Sequence, residues 1–165
     1  MDWFFTSITW LGSLYLLLPL SLLSVFLLLW IGKSEQALML GLSLFSTIIS
    51  VHAAKLIFRR PRPAVTDLLV TMPADWSFPS AHTAQATAFF FSITLIAFRL
   101  LPLFWAAATM LLSVLVVGSV AYSRVYLQVH YISDVVAGLV LAIFLVAVVD
   151  LVIPALPWFG DTGSH

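Results

Sequence analysis

The sequence predicts an all-α, polytopic transmembrane bundle of about five spans, with its active site at one membrane face. Hydrophobic residues make up 62% of the 165-residue chain, and Asp, Glu, Lys and Arg together only 8%. Mean hydropathy is +1.13, and several apolar stretches approach the roughly 20 residues that a helix needs to cross the hydrocarbon core. The remaining charges are clustered: Lys55, Arg59, Arg60 and Arg62 form one group, and Arg124, His130 and Asp134 a second. Ionisable side chains beside apolar spans are costly, so they mark function by default. Residues 1–165 are read as one integral membrane domain.

Composition also excludes several classes. Formal net charge is zero and the pI is about 6.9, which gives no electrostatic case for nucleic acid. The absence of cysteine removes disulfides, thiolate metal sites and thiol catalysis. The segment Met1–Phe5 lacks the basic flank of a signal peptide, and the apolar stretch after it exceeds a signal core, so it is read as a retained span.

The first span is expected from about Leu11 to Ile31, with Pro19 inside it, which neighbouring helices can accommodate. The aromatic stretch Trp3–Trp10 either lies flat in the interface or extends that span. Gly32 to Gln36 is a polar turn, and a second span follows from about Ala37 to Phe58. In it Ser43, Thr47, Ser50 and Ala54 form a small, polar stripe of the kind that packs helix on helix. Residues 59–78 are the longest non-apolar stretch. Further spans are expected at about Ala81–Phe98, Leu103–Tyr122 and Val135–Ile153, with a break at Arg99-Leu100-Leu101-Pro102. The tryptophans, Trp76 and Trp158 included, fall mostly near span ends, as in an interfacial aromatic belt.

Asp2 before the first span and Lys33 after it place the N-terminus outside by the positive-inside rule, with Arg99 inside. The basic run 55–62 and Arg124 then lie outside, against the rule. Either the topology is inverted or these cations are kept there for chemistry. The orientation adopted puts the site on the periplasmic side of a bacterial cytoplasmic membrane.

That topology brings three segments to one face: Lys55-x6-Arg62-Pro63, Pro79-Ser80-Ala81-His82, and Ser123-Arg124-x5-His130-x3-Asp134. Lys55, Arg62 and Arg124 can neutralise the oxygens of a transferring phosphoryl group. A helix starting near Pro79 or Ser80 would aim free N–H groups at the same anion. Ala81 is counted in that turn, and the Ser80 and Ser123 hydroxyls could add hydrogen bonds. Asp134 on one nitrogen of His130 would raise the basicity of the other, making His130 a candidate nucleophile. His82 is the natural general acid, and later the base that activates water. Each part also has a plain reading: a helix-cap histidine, a structural His–Asp pair, or a headgroup anchor for Arg59-Arg60-Pro61-Arg62.

Together the three segments resemble the signature of the type 2 phosphatidic acid phosphatase superfamily, which also includes vanadium haloperoxidases and glucose-6-phosphatase. Its pattern is Lys-x6-Arg-Pro, then Pro-Ser-x-His, then Ser-Arg-x5-His-x3-Asp, and every fixed position is present between residues 55 and 134. The resemblance implies Lys55, Arg62, Arg124 and Ser80 as phosphate contacts, His82 as acid, His130 as nucleophile and Asp134 as its orienting partner. Many members carry Gly where this chain has Ala81. Membrane members often have six spans with the first motif closing the third, whereas here it closes the second. His52, one turn before Lys55, lies outside the signature and is read as a hydrogen-bonding residue of the bundle.

The function expected is an integral membrane phosphatase acting on a lipid phosphate or pyrophosphate through a phosphohistidine. The family's lipid members suggest phosphatidate, phosphatidylglycerophosphate or a polyprenyl pyrophosphate as substrate. No metal or cofactor is expected, and Asp67 and Asp75 are read as loop-turn residues. Alternatives are a lipid phosphotransferase using the same intermediate, a lipid-phosphate binding or transport protein, and, weakest, a haloperoxidase.

Overall fold

The turns read from the sequence are where the helices break. The computed structural model describes residues 2–64 and 70–156, so the expectations for Asp67 and Trp158 lie outside the described residues. Gly32, at φ +73°, carries the chain from α2 (Leu14–Trp30) into α3 (Ser34–Phe58). Arg59 ends α3 in the left-handed conformation, and residues 59–80 cross to α4 (Ala81–Leu100). Pro102 opens α5 (Leu103–Tyr126), and a short loop leads to α6 (Ile132–Val152) and a final 3-10 turn, Ile153–Ala155. Ahead of α2 stand α1 (Asp2–Ile8) and a 3-10 turn, Thr9–Gly12.

Four helices, α3 to α6, are each long and apolar enough to cross a membrane. The N-terminal segment and α2, bent by 43°, make a fifth candidate span when the pair is taken as one. Four to five candidate spans agree with the roughly five read from the sequence, with shifted edges. The expected first span begins at Ser13, whose hydroxyl accepts the Tyr15 N–H at 3.3 Å, rather than at Leu11. The Trp3–Trp10 stretch neither continues α2 straight nor stands apart. It bends back over the end of α5, where Phe5 packs on Tyr126 at 4.2 Å between ring centroids and Asp2 accepts from the Tyr126 hydroxyl.

The bundle is built inside out. α4 is the least apolar of the spanning helices and the most buried, and its buried face is small and hydroxylic: Ala84, Ala88, Thr83, Thr87 and Ser92. Small side chains let backbones approach closely where lipid supplies no hydrophobic drive between helices. The strongly apolar α5 and α6 leave most of their surface outward. Of the α3 stripe, Ser43 and Thr47 are fully buried, as a packing role requires, while Ser50 and Ala54 are half-buried. At the end opposite the basic run, Arg99 of α4 pairs with Asp150 of α6 at 2.8 Å and approaches Glu35 of α3 at 3.6 Å.

Two glycines set how tightly the other end closes. A Cβ on Gly138 of α6 would lie 2.7 Å from the Ser80 carbonyl, so α6 can sit against the start of α4 only without one. A Cβ on Gly12 would lie 2.7 Å from Val120 and 2.8 Å from the His82 carbonyl. The N-terminal turn is thus wedged between α4 and α5. Gly12→Ala is expected to destabilise the protein by about 1–3 kcal/mol, the usual cost of overpacking. A thermal melt in detergent that matches the unsubstituted chain would contradict this packing.

Candidate active site

The site is organised around one buried carboxylate. Asp134, in the first turn of α6, has no exposed surface. Its Oδ2 accepts the Tyr131 N–H at 3.0 Å and the Ser77 hydroxyl, and its Oδ1 accepts Arg60 Nη1 at 2.8 Å. Arg60 also donates to Ser133 Oγ and lies over the Tyr131 ring, 4.1 Å from its centroid. A buried charge needs such a set, because desolvation otherwise outweighs any single contact.

His130 is held by the same group. It precedes α6 rather than belonging to it, and its Nδ1 lies 3.5 Å from Asp134 Oδ2, long for a hydrogen bond. Ser77 Oγ fills the gap, 3.3 Å from Nδ1 while donating to Asp134. His130 Nδ1–H therefore donates to a hydroxyl that passes the carboxylate's pull on, and Nε2 keeps its lone pair. Arg62 Nη1 faces that nitrogen at 3.2 Å and also donates to the Val129 carbonyl at 2.7 Å. Burial is the main influence on the imidazole and pushes its pKa down to about 4. The bond toward Asp134 opposes that shift, and the nearby Arg62, Arg124 and Lys55 charges reinforce it. At neutral pH the ring is unprotonated, as a nucleophile must be.

His130 opens into a cavity of about 210 Å³ that is also lined by Lys55, Arg62, Ala81, His82 and Arg124. Lys55 and Arg124 are buried on the last turns of α3 and α5. Arg124 Nη1 donates to Thr9 Oγ1 at 2.8 Å, while its buried Nε has no hydrogen-bond partner among the described residues. Asp75 stands between the other two cations, 3.0 Å from Lys55 Nζ and 2.5 Å from Arg62 Nη2. The Arg62 Nε–H also donates to its backbone carbonyl at 2.9 Å, and Lys55 donates to the Trp76 carbonyl. Burial alone would raise the Asp75 pKa, but the bonds from Lys55 and Arg62 outweigh it and hold the carboxyl below its usual range. A carboxylate thus fills the bay that the sequence assigns to phosphate.

Of the residues singled out in the sequence, Lys55, Arg62, Ala81, His82, Arg124 and His130 share this cavity, and Asp134 supports it from behind. Ser80 and Ser123 are fully buried and do not line it. The Ser123 hydroxyl is engaged by the Val120 carbonyl at 2.6 Å. The Ser80 hydroxyl accepts from Thr83 at 3.1 Å, and its backbone N–H donates to the Asp134 carbonyl. Ala81 is the first residue of α4 and is not among the positive-φ residues, so replacing the common Gly carries no strain. Among the described residues, His52 bonds only within its own helix, Nδ1 to the Ile48 carbonyl at 2.8 Å. Sequence reasoning missed Ser77, the structural use of Arg60, and Asp75, which is no plain turn residue. Asp75 alone carried a signal, as an acid within seven residues of His82.

The geometry and the family agree. Residues 36–158 match the family model described as PAP2 superfamily. The chain belongs to the PAP2 superfamily. A decaprenylphosphoryl-5-phosphoribose phosphatase of Mycobacterium tuberculosis is 33% identical over 123 residues, a match that takes in 73% of this chain and 63% of that protein's length. Among solved structures, the fold is similar to a transmembrane PAP2-type phosphatidylglycerolphosphate phosphatase from Bacillus subtilis. That likeness has a TM-score of 0.85 at 26% identity and covers 96% of this chain and 79% of that one. It is also similar to LpxE of Aquifex aeolicus, with a TM-score of 0.70 at 29% identity over 90% and 84% of the two chains.

Two outcomes follow from this PAP2 site. An unfolded histidine titrates near 6.5, whereas His130 in the fold takes up its proton only near 4. Between those values the unfolded chain binds a proton that the folded chain excludes, so stability falls as pH drops through that window. The fall in melting temperature from pH 7 to 5 should be smaller in His130→Gln; an equal fall would contradict the assignment. Asp75→Asn should tighten orthovanadate binding by about two- to fivefold, a modest gain because the carboxylate it removes is itself half exposed. Calorimetric titration showing unchanged or weaker binding would count against competition for the bay.

Proposed function

We propose that this chain is an integral membrane phosphatase that removes a terminal phosphate from a lipid phosphate or pyrophosphate through a phosphohistidine. One observation carries the reading: a neutral His130, its Nε2 an acceptor facing Arg62 at 3.2 Å and its Nδ1 tied toward Asp134, lines a cavity whose cations match a phosphoryl group. The relatives named above include phosphatases of a decaprenyl phosphoryl ribose phosphate and of phosphatidylglycerolphosphate. These names favour phospholipid or polyprenyl substrates over soluble esters. A site at the end of an apolar bundle also suits a headgroup arriving from the bilayer.

The steps follow from the placement of the groups. The phosphate displaces Asp75, and its oxygens take the Lys55, Arg62 and Arg124 donors together with the free N–H groups at the start of α4. His130 Nε2 attacks phosphorus in line, forming the N–P bond as the P–O bond to the lipid breaks. His82 gives its proton to the departing oxygen. Water then attacks the phosphohistidine, His82 takes a proton from it, the N–P bond breaks, and phosphate leaves. Nδ1–H stays on Ser77 throughout, so the ring can bear the positive charge that grows on phosphorylation. The cavity offers cations and a single carboxylate, a donor set suited to an anion rather than a divalent metal. Lys33 and Arg99 at the far end favour the orientation with the site on the periplasmic face of a bacterial inner membrane.

Purified protein should release phosphate from phosphatidate, phosphatidylglycerophosphate or a polyprenyl pyrophosphate, unaffected by chelators, and His130→Ala should abolish release. Acid-labile, base-stable label on the protein after rapid quenching would identify the phosphohistidine, and its absence during turnover would sink that intermediate. His82→Ala should slow monoesters by about 10²–10⁴-fold and pyrophosphates less, since a departing phosphate needs less protonation. Equal slowing of both would remove His82 as the acid.

A further inference from the structure

The catalytic cavity continues past its cations to a wall that the mechanism does not use. That wall includes Ser13 and Tyr15 at the start of α2, His52 of α3 and Gln85 of α4. His52 lies three residues before Lys55 on a helix running toward the site, and Gln85 three residues after His82 on a helix running away from it. At 1.5 Å rise per residue, both sit about 4.5 Å deeper in the bundle than the groups that would grip phosphate. In the proposed mechanism the leaving group departs on the His82 side of the phosphate, and Gln85 lies one turn beyond His82 on the same helix.

Gln85 is the telling residue. It is 3% exposed, lines the cavity, and makes no hydrogen bond among the described residues. The hydroxyls of Ser43, Thr47 and Ser92 are also unpartnered, but they are sealed inside helix contacts; the Gln85 amide faces open space. A buried amide is costly unless something bonds it. The wall residues that share the cavity with it offer hydroxyl and imidazole groups, while the cations Lys55, Arg62 and Arg124 line the rest of it. The bond of His52 Nδ1 to a carbonyl makes that nitrogen the donor and leaves Nε2 as an acceptor. Ser13 Oγ already accepts from Tyr15 N, so its proton is available. Such a wall receives hydroxyl groups well and a second phosphate poorly.

We propose that Gln85, with His52 and the Ser13 hydroxyl, forms a second polar subsite that holds the part of the leaving group next to the scissile phosphate. The unit it fits is an uncharged, hydroxyl-bearing one such as a glycerol or a pentose, with any phosphodiester beyond it lying outside the wall. This deepens the lipid-phosphatase reading and rests on it.

The test compares kcat/KM for phosphatidylglycerophosphate, which carries a free hydroxyl on the unit next to its scissile phosphate, with phosphatidate of the same acyl chains and a polyprenyl pyrophosphate. The unsubstituted chain in detergent should prefer phosphatidylglycerophosphate over each of the others by about tenfold or more. Gln85→Met, close in shape but without the amide, should cut that preference by about 10–100-fold, the range for a polar site left unpaired. Should Gln85→Met not fold, Gln85→Asn, which withdraws the amide by one methylene, reads the same ratio. No preference in the unsubstituted chain, or a preference that either variant leaves intact, overturns the subsite. Phosphate release from none of the three lipids overturns the phosphatase reading itself, so the two failures are distinct.

Discussion

The Asp134 carboxylate is the constraint on which the rest of this end of the molecule depends. With no exposed surface, it collects the Tyr131 N–H, the Ser77 hydroxyl and the Arg60 guanidinium, while its own backbone carbonyl accepts Ser80 N–H. Those bonds come from the segment after α3, the segment before α4, the start of α4 and the start of α6. A charge buried this fully is tolerated only when every lone pair is met. Satisfying it brings four stretches of chain to one point. His130 and Arg62 are positioned as a consequence, because Ser77 and the residues next to Arg60 are already placed. The Ser77 N–H to Arg60 carbonyl bond at 2.9 Å closes the same knot through the backbone.

This explains which parts were legible in the sequence. The spans were, because length and apolar run are sufficient to mark a helix that must satisfy its own backbone in lipid. Their edges were less so: α5 runs on to Tyr126 and α6 starts at Ile132, since polar side chains inside a site do not end a helix as they would in an exposed loop. The cations and both histidines were legible from their spacing. Ser77 was not, because a serine two residues before a proline reads as a turn residue. Arg60 lay hidden in a run whose usual reading is a lipid anchor. The distinction between Arg59, which among the described residues bonds to its own helix end, and Arg60, which reaches α6, depends on the left-handed turn at Arg59.

The N-terminal segment shows how a part outside the three motifs still shapes the site. Arg124 has one of its nitrogens taken by Thr9, and the turn bearing Thr9 fits only because Gly12 lets it lie against His82 and Val120. The bend of 43° between this segment and α2 is therefore tied to the site and not only to the membrane. Ser13 and Tyr15, just after the bend, then reach the cavity that Arg124 helps to form. Packing at Gly12 and polar chemistry at Arg124 are two ends of one contact.

The charge balance of the cavity indicates why a phosphate dianion should displace what is there. Lys55, Arg62 and Arg124 supply three positive charges, and Asp75 returns one, bonded to the first two. Among the described residues, Arg124 has no carboxylate partner in the cavity, and its Nε is left without a hydrogen bond. Asp75 is thus a partial counterion, matched to two of the three cations. A phosphate carries a second charge and additional acceptor oxygens, so it can serve Arg124 as well as the pair that Asp75 holds. The difference between the two occupants lies at Arg124, the cation furthest along the chain from the loop carrying Asp75. On the proposed reading, exchange of one carboxylate for one phosphate also releases Arg62 from Asp75, leaving it to bond phosphate beside the Nε2 it already faces. In the proposed mechanism, filling the bay and bringing phosphorus to His130 Nε2 are then the same event.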